Sequence, residues 1–137
     1  MEISEKIPSL LERIPPFILE IIKKIKSLGI SEEELFNVRL SLEEALVNAV
    51  KHGNKMDAGL VVEVYLKVNS DKLIIEVKDQ GEGFDFKNLD DPTKEENIKK
   101  TRGRGIFLIK NLMDEVRFKE GGSRIIMTKY FKREAKL

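Results

Sequence analysis

Residues 73–84 read LIIEVKDQGEGF, an apolar run that ends in an acid and two glycines one residue apart. The run predicts a β-strand, and VVEVYLKV at 61–68 predicts its hairpin partner across a short polar turn. Asp79 therefore ends a buried strand, where a fixed carboxylate can accept a hydrogen bond from an exocyclic amine such as that of adenine. Gly81 and Gly83 allow the backbone to approach a ligand closely. For this stretch alone, an ordinary Asp-Gly turn is the alternative.

A long helix precedes the hairpin and carries the next candidate residues. Ser31 and Glu34 have the spacing of a capping box, and the apolar side chains that follow recur at helical spacing, which predicts a helix over 31–52. Glu44 and Asn48 are four residues apart and project from one side of it. A carboxylate and a carboxamide can serve as a base and as a ligand of Mg²⁺. A solvated helix face remains the simpler explanation of this pair alone.

Downstream, Arg102-Gly103-Arg104-Gly105 opens a helix predicted over about 105–113. Glycines at a helix N-terminus expose N–H groups at the positive end of the helix dipole, which favours phosphate, and arginines add bidentate donors. A flexible hinge explains this Gly-x-Gly equally well. The sequence contains no GxxxxGK[ST], which excludes a P-loop.

The order of predicted elements is β-α-α-β-β-loop-α-β-β, which indicates an α+β fold. We expect a two-layer α/β sandwich, with a mixed, mostly antiparallel sheet covered on one face by helices. The other predicted elements are a short edge strand that contains Ile3 and Ile7 and ends at Pro8, a helix between residues 15 and 29, and strands over 115–119 and 124–131. No repeat or linker interrupts the pattern, so we expect a single domain over 1–137.

The composition excludes several classes of function. The 25 Lys and Arg against 24 Asp and Glu leave a net charge of +1, without the excess of positive charge that nucleic-acid binding requires. Because cysteine is absent, disulfides, thiolate metal sites and thiol nucleophiles are excluded. Because His52 is the only histidine, a His-rich metal cluster is excluded too. No apolar run reaches the roughly 18 residues of a membrane span and no signal peptide is present, so we expect a cytoplasmic protein without membrane contact.

Together the motifs resemble those of the GHKL ATPase superfamily, whose domains have the Bergerat fold. EEALVNAVKHGN at 43–54 is similar to the N box of that superfamily, DQGEGFD at 79–85 to its first glycine box, and RGRGIFLIKNLMDEV at 102–116 to its second. DPTKEENIKKTRGRGIFLIKNLMDEV at 91–116 and the compact length resemble the anti-sigma-factor serine/threonine kinases of bacterial stress and sporulation control. The resemblance covers about residues 1–132.

The resemblance implies a role for each residue of the first two motifs. Glu44 would be the general base, and Asn48 would be a ligand of Mg²⁺ and bind ATP through it. Asp79 would bind the adenine amine, with Gly81 and Gly83 shaping that wall of the site.

For the second glycine box, the resemblance implies phosphate binding. Gly103 and Gly105 would contact the phosphates as a mobile lid over about 85–102 closes. Arg102 and Arg104 would contact the phosphates or stabilise the transition state.

Two further residues are interpreted through the same resemblance. Ser123 stands where the family often has threonine, and it would lie near the adenine with its hydroxyl retained. His52 lies near the end of the N box, and we interpret it as a structural residue at the end of the helix, with a contact to phosphate as the alternative.

The implied function is that of an anti-sigma factor. It would sequester a sigma factor and use Mg-ATP to phosphorylate a serine of its STAS-type anti-anti-sigma antagonist, and it would form a homodimer. Three alternatives stay open: the ATP-binding domain of a sensor histidine kinase, a nucleotide-dependent binder without catalysis, and an ATPase without a protein acceptor. Because the only histidine lies in the N box, we expect no phosphorylation on histidine within this chain.

Overall fold

In a computed structural model, which describes residues 1–88 and 101–132, the chain forms five β-strands and three α-helices. The strands are β1 (Glu2–Pro8), β2 (Val61–Val68), β3 (Lys72–Lys78), β4 (Glu115–Lys119) and β5 (Arg124–Tyr130). The helices are α1 (Ile14–Lys26), α2 (Glu32–Asn48) and α3 (Thr101–Leu112).

The strands form one sheet in the order β1-β2-β3-β5-β4. Every strand pair in the described residues is antiparallel. The prediction of a mixed sheet is therefore wrong, although the sheet is antiparallel as mostly expected. The order places β3 in the centre, beside β5, so that the end of β3 lies next to the turn between β4 and β5. The predicted α+β sandwich is confirmed in all other respects.

One face of the sheet is apolar because buried and more exposed side chains alternate along the strands. Val62, Val64 and Leu66 of β2 are buried, and they share the core with Leu42 and Leu46 of α2. The three helices therefore cover this face. The other face is polar and carries the ion pairs Lys6–Glu63 at 3.5 Å and Arg124–Glu76 at 3.5 Å.

Ser31 caps α2 as the sequence predicts. Its Oγ accepts a hydrogen bond from the Glu34 N–H at 3.1 Å and donates one to Glu34 Oε1 at 2.8 Å. Glu34 Oε2 also accepts from the N–H of Lys132 at 3.0 Å. One carboxylate thus stabilises the start of α2 and holds the chain after β5 against it.

Helix α2 ends at Asn48, four residues before the predicted end. The chain continues as a π-helical turn over Ala49–Gly53, and the N–H of Asn54 donates to the carbonyl oxygen of Ala49 at 2.8 Å. Such wider turns are frequent at functional sites, and helical spacing in a sequence does not distinguish them from an α-helix. Helix α1 also ends earlier than predicted, at Lys26, because the chain turns before Gly29, whose φ is +77°.

Helix α3 begins at Thr101, four residues before the predicted start. Gly103 and Gly105 therefore lie inside its first turns and do not precede it, which corrects the prediction. Glycine costs a helix interior about 1 kcal/mol relative to alanine, and here the burial of Ile106 and Ile109 against the core offsets that cost. None of the described helices is long and apolar enough to cross a membrane.

We predict that Ser31→Ala lowers the free energy of unfolding by about 1 kcal/mol, because the first turn of α2 loses its cap. Urea denaturation followed by circular dichroism measures the change. Ser27→Ala is the matched control, since the exposed Ser27 hydroxyl donates only to the carbonyl oxygen of Lys24 at 3.1 Å. We expect this control to change stability by less than about 0.5 kcal/mol. Equal losses in the two variants would contradict the capping role.

Candidate functional site

Asp79 directly follows β3 and is 5% exposed. Its N–H donates to the carbonyl oxygen of Ser123 at 2.9 Å, and its Oδ1 accepts from the N–H of Gly81 at 2.8 Å. Burial raises the pKa of this carboxyl, and the Gly81 N–H and the positive charge of Arg102 act in the opposite direction. The carboxylate is therefore fixed in position at the end of the central strand.

The π-helical turn packs directly against the loop after β3, which contains Asp79, Gly81 and Gly83. A Cβ at Gly53 would collide with the carboxylate of Asp79, and a Cβ at Gly81 would collide with the carbonyl oxygen of Gly53. Both positions therefore require glycine, so that two backbone segments can meet around the acid. Gly81 is predicted from the sequence as a site residue and Gly53 is not, because a glycine after a helical stretch indicates only where the helix stops.

The second glycine of the loop packs against the turn between β4 and β5. Gly83 has φ +83°, and a Cβ there would collide with the carbonyl oxygen of Gly121. That oxygen accepts from the N–H of Phe84 at 3.0 Å. Ser123, at the end of the turn, is buried and donates its hydroxyl to the carbonyl oxygen of Glu120 at 3.0 Å. Loop and turn together form one wall of a cleft.

This cleft lies between α2, α3 and the wall, and it measures about 310 Å³ including its mouth, which is open to solvent. Four predicted site residues line it: Asn48, Asp79, Arg102 and Ser123. The rest of the described lining is mostly apolar, with Ala45, Val77, Phe84, Ile106 and Phe118 among its residues. An apolar cleft with a few fixed polar groups is the usual form of a small-molecule site.

The guanidinium of Arg102 lies inside the cleft, over the ring of Phe84 at 3.7 Å from its centroid. Phe84 in turn packs edge-on against Phe118, with the centroids 5.4 Å apart. Nε of Arg102 is buried and has no hydrogen-bond partner within the described ranges. Arg102 therefore occupies the same end of the cleft as Asp79, and its contact with phosphate stays a prediction.

Glu44 and Asn48 lie on the side of α2 that faces α3. A Cβ at Gly105 would lie 2.7 Å from Oε2 of Glu44 and 3.0 Å from Nδ2 of Asn48, so a side chain there would push the ends of these two side chains aside. Burial and the negative charge of Glu43 raise the pKa of Glu44, and the positive charge of Arg104 acts against them.

Gly103 differs from the other glycines of the site, because a Cβ there would meet no atom of another described element within 4 Å. The packing of the described residues therefore gives no steric reason for glycine at this position.

His52 lies in the π-helical turn and is half-buried. Burial lowers its pKa, and the neighbouring charges of Arg102 and Lys51 lower it further, which favours the neutral imidazole. Its Nε2 is buried without a partner among the residues that the structure describes. His52 thus lies in the turn after α2, and its structural role stays a prediction.

Comparison of the sequence with known proteins shows which family has this site. The model of the histidine kinase-like ATPase domain matches residues 7–129. The chain belongs to this family. Its relatives include the serine-protein kinase RsbW of Staphylococcus aureus strains JH9, Newman and NCTC 8325, each 33% identical over 140 residues, with 96% of this chain and 88% of the relative covered. The predicted membership of the GHKL superfamily, in its serine-kinase branch, is confirmed, and membership implies that the chain binds ATP.

We predict that Arg102→Ala raises the affinity for adenosine, because adenosine must displace the guanidinium from the ring of Phe84. A cation–π contact of about 1 kcal/mol corresponds to about fivefold in the dissociation constant, which calorimetry measures. Arg39→Ala is the matched control, since Arg39 lies 5.8 Å from the centroid of Phe36 on α2, outside the cleft lining. Unchanged or weaker adenosine binding by the Arg102 variant would show that the guanidinium does not compete with the nucleoside.

Proposed function

We propose that this protein is an anti-sigma factor with serine kinase activity. It sequesters a sigma factor and uses Mg-ATP to phosphorylate a serine of a STAS-type anti-anti-sigma protein. The observation that carries the proposal is the cleft between α2 and α3. It joins the buried Asp79 to the amide of Asn48, beside Glu44, in a chain related to the RsbW serine-protein kinases.

At the inner end of the cleft, Asp79 accepts a hydrogen bond from the exocyclic amine of adenine. The Gly81 N–H occupies one site on its Oδ1, and a carboxylate has further lone pairs for a ligand. The wall that contains Gly83 and Ser123 faces the base. Since Arg102 occupies this end in the structure, its guanidinium leaves Phe84 when the base enters and becomes available to the phosphates.

At the outer end, Asn48 and Glu44 offer oxygen donors, which suit Mg²⁺. In the described residues, no cluster of three or more His, Cys, Asp or Glu side chains could hold a metal ion by itself. This donor set fits Mg²⁺ that arrives with the phosphates of ATP and takes the amide oxygen of Asn48 as a ligand. When bound, Mg²⁺ would neutralise part of the negative charge of the phosphates.

Glu44 acts as the general base. It accepts the proton of the incoming serine hydroxyl while the serine oxygen attacks the terminal phosphorus and the bond to the leaving diphosphate breaks. The exposed Arg104 lies close enough to lower the pKa of Glu44, and it contacts phosphate oxygens during transfer. The N–H groups of the first turn of α3, including that of Gly103, add donors at the positive end of the helix dipole, and Gly105 keeps α3 close to both side chains.

The wider organisation of the protein stays a prediction. We infer one kinase domain over 1–137, a lid over about 85–102 and a homodimer that binds its sigma factor in the cytoplasm, without contact to nucleic acid or membrane. Residues 89–100 of the inferred lid lie outside the described residues.

Transfer of label from radioactive ATP to an anti-anti-sigma protein tests the proposal. We expect labelling of this protein, and none of a variant whose acceptor serine is alanine. Phosphate release without the acceptor would support a plain ATPase. Tight sigma-factor binding without labelling would support a non-catalytic binder. Label on this chain itself would support the histidine-kinase alternative.

We predict that Glu44→Gln lowers the rate of transfer by at least about 100-fold, because a neutral amide cannot accept the proton of the serine hydroxyl. The dissociation constant for ATP should change by less than about threefold, since glutamine has nearly the same size as glutamate and the substitution removes no contact with the adenine. Glu43→Gln is the matched control, because the neighbouring carboxylate is exposed and faces away from Asn48. Full activity of the Glu44 variant, or equal losses in both, would exclude Glu44 as the base.

The pH dependence of transfer gives a second prediction. Glu44 must be ionised to act as a base, and its pKa is raised above the ordinary 4.5 by burial and by Glu43. The rate should therefore fall as the pH decreases through this raised pKa. Glu43→Gln removes one of the two causes, so its acid limb should lie at lower pH than that of the wild type. Coincident acid limbs would contradict this assignment.

A further inference from the structure

Asn54 follows the π-helical turn and is almost completely buried, at 2% exposure. Its Nδ2 donates to the carbonyl oxygen of Val61 at 3.0 Å, and its Oδ1 accepts from the N–H of Gln80 at 2.8 Å. The side chain of Gln80 completes a ring, because its Oε1 accepts from the N–H of Val61 at 2.7 Å. The ring joins the end of the turn, the start of β2 and the residue after Asp79.

We propose that Asn54 is a positioning residue that selects the nucleobase by holding the carboxylate of Asp79 in place. The inference rests on the proposed function, in which Asp79 accepts a hydrogen bond from the adenine amine. Asn54 itself does not line the cleft, so it acts through the loop and not by touching the ligand.

The contacts around Asp79 explain how this works. The Gln80 N–H belongs to the peptide group that follows the Cα of Asp79, so the bond to Asn54 fixes the backbone on that side. On the other side, the N–H of Asp79 donates to Ser123. Gly53, directly before Asn54, packs against the carboxylate itself. The residue that holds the loop thus adjoins the residue that contacts the acid.

Loss of the Asn54 side chain should move this loop rather than leave it in place. The partly buried carbonyl oxygen of Val61 and N–H of Gln80 would lose their partner, and a fully buried group left unpaired costs about 1–3 kcal/mol. The loop can reduce this cost by shifting toward water, since Gln80 is exposed. Such a shift carries Asp79 with it.

The expected consequence is a loss of base selection. ATP presents an amine at position 6 of the purine, whereas ITP presents an oxygen there that cannot donate to a carboxylate. A displaced Asp79 therefore weakens ATP binding more than ITP binding. Phosphate transfer depends on Glu44 and Asn48 at the other end of the cleft, so kcat should be affected much less than the KM for ATP.

Asn69 provides a matched control. Its side chain also takes part in two hydrogen bonds, since its Oδ1 accepts from the N–H groups of Asp71 at 2.8 Å and Lys72 at 3.0 Å. It lies in the turn of the same β2–β3 hairpin, at the end opposite to Val61 and Asp79. Asn69→Ala thus tests the loss of two asparagine hydrogen bonds away from the cleft.

The experiment measures dissociation constants for ATP and ITP by calorimetry, and kcat and KM for transfer, in the full chain. For Asn54→Ala we expect the preference for ATP over ITP to fall at least fivefold, with kcat within about threefold of the wild type. For Asn69→Ala we expect the wild-type preference. Gln80→Ala changes an exposed side chain and removes only the bond to Val61, so it serves if Asn54→Ala does not fold. It should lower the preference at least twofold.

An unchanged preference in the variants of Asn54 and Gln80 would overturn the inference. So would an equal fall in Asn69→Ala, because the effect would then follow stability alone. The premise is tested separately by Asp79→Asn, which should abolish the preference. A wild-type protein that binds ATP and ITP equally would contradict the role of Asp79 in the proposed function, whereas a selective wild type with a selective Asn54→Ala would overturn only the role of Asn54.

Discussion

The close approach of the Gly53 backbone to the carboxylate of Asp79 is the contact on which the site depends. It joins the end of α2 and its π-helical turn to the end of the central strand, although the two residues are far apart in the chain. Neither Gly53 nor Gly81 can carry a side chain without displacing this contact. The buried residues Leu42, Leu46 and Val50 hold α2 and the turn against the sheet, so core packing determines how close the two segments come.

A net charge of +1 conceals two local pairs of opposite charge. The charges of Arg102 and Asp79 shift the pKa of each other at the inner end of the cleft, and the charge of Arg104 lowers the pKa of Glu44 near its outer end. Both arginines belong to the first turn of α3, so the position of one helix determines the charge around both carboxylates. The sequence predicts positive charge near phosphate, and the fold brings an acid within electrostatic range of each arginine.

Local patterns account for most of the secondary structure. The cap at Ser31, the hairpin of β2 and β3, and the strands β4 and β5 all follow from short-range periodicity and turn chemistry, and the structure confirms them. The start of α3 is predicted wrongly, because glycine propensity is local, whereas the packing that overrides it involves distant residues. The ring of Asn54, Val61 and Gln80 is missed for a similar reason. Its members are separated by up to 26 positions, and an asparagine after a helix predicts only a turn.

The sequence by itself determined the fold class, the order of the elements, the family and the motif residues. Hydrophobic periodicity and turn residues carry the fold class and the order of the elements, and the resemblance of the motifs carries the family, without any knowledge of contacts. Only the tertiary structure decided that Arg102 stacks on Phe84 beside Asp79, that Gly53 must lack a side chain, and that Asn54 holds the loop after β3. Each of these depends on distances between elements that meet only when the core packs, and no local pattern in the chain encodes such distances.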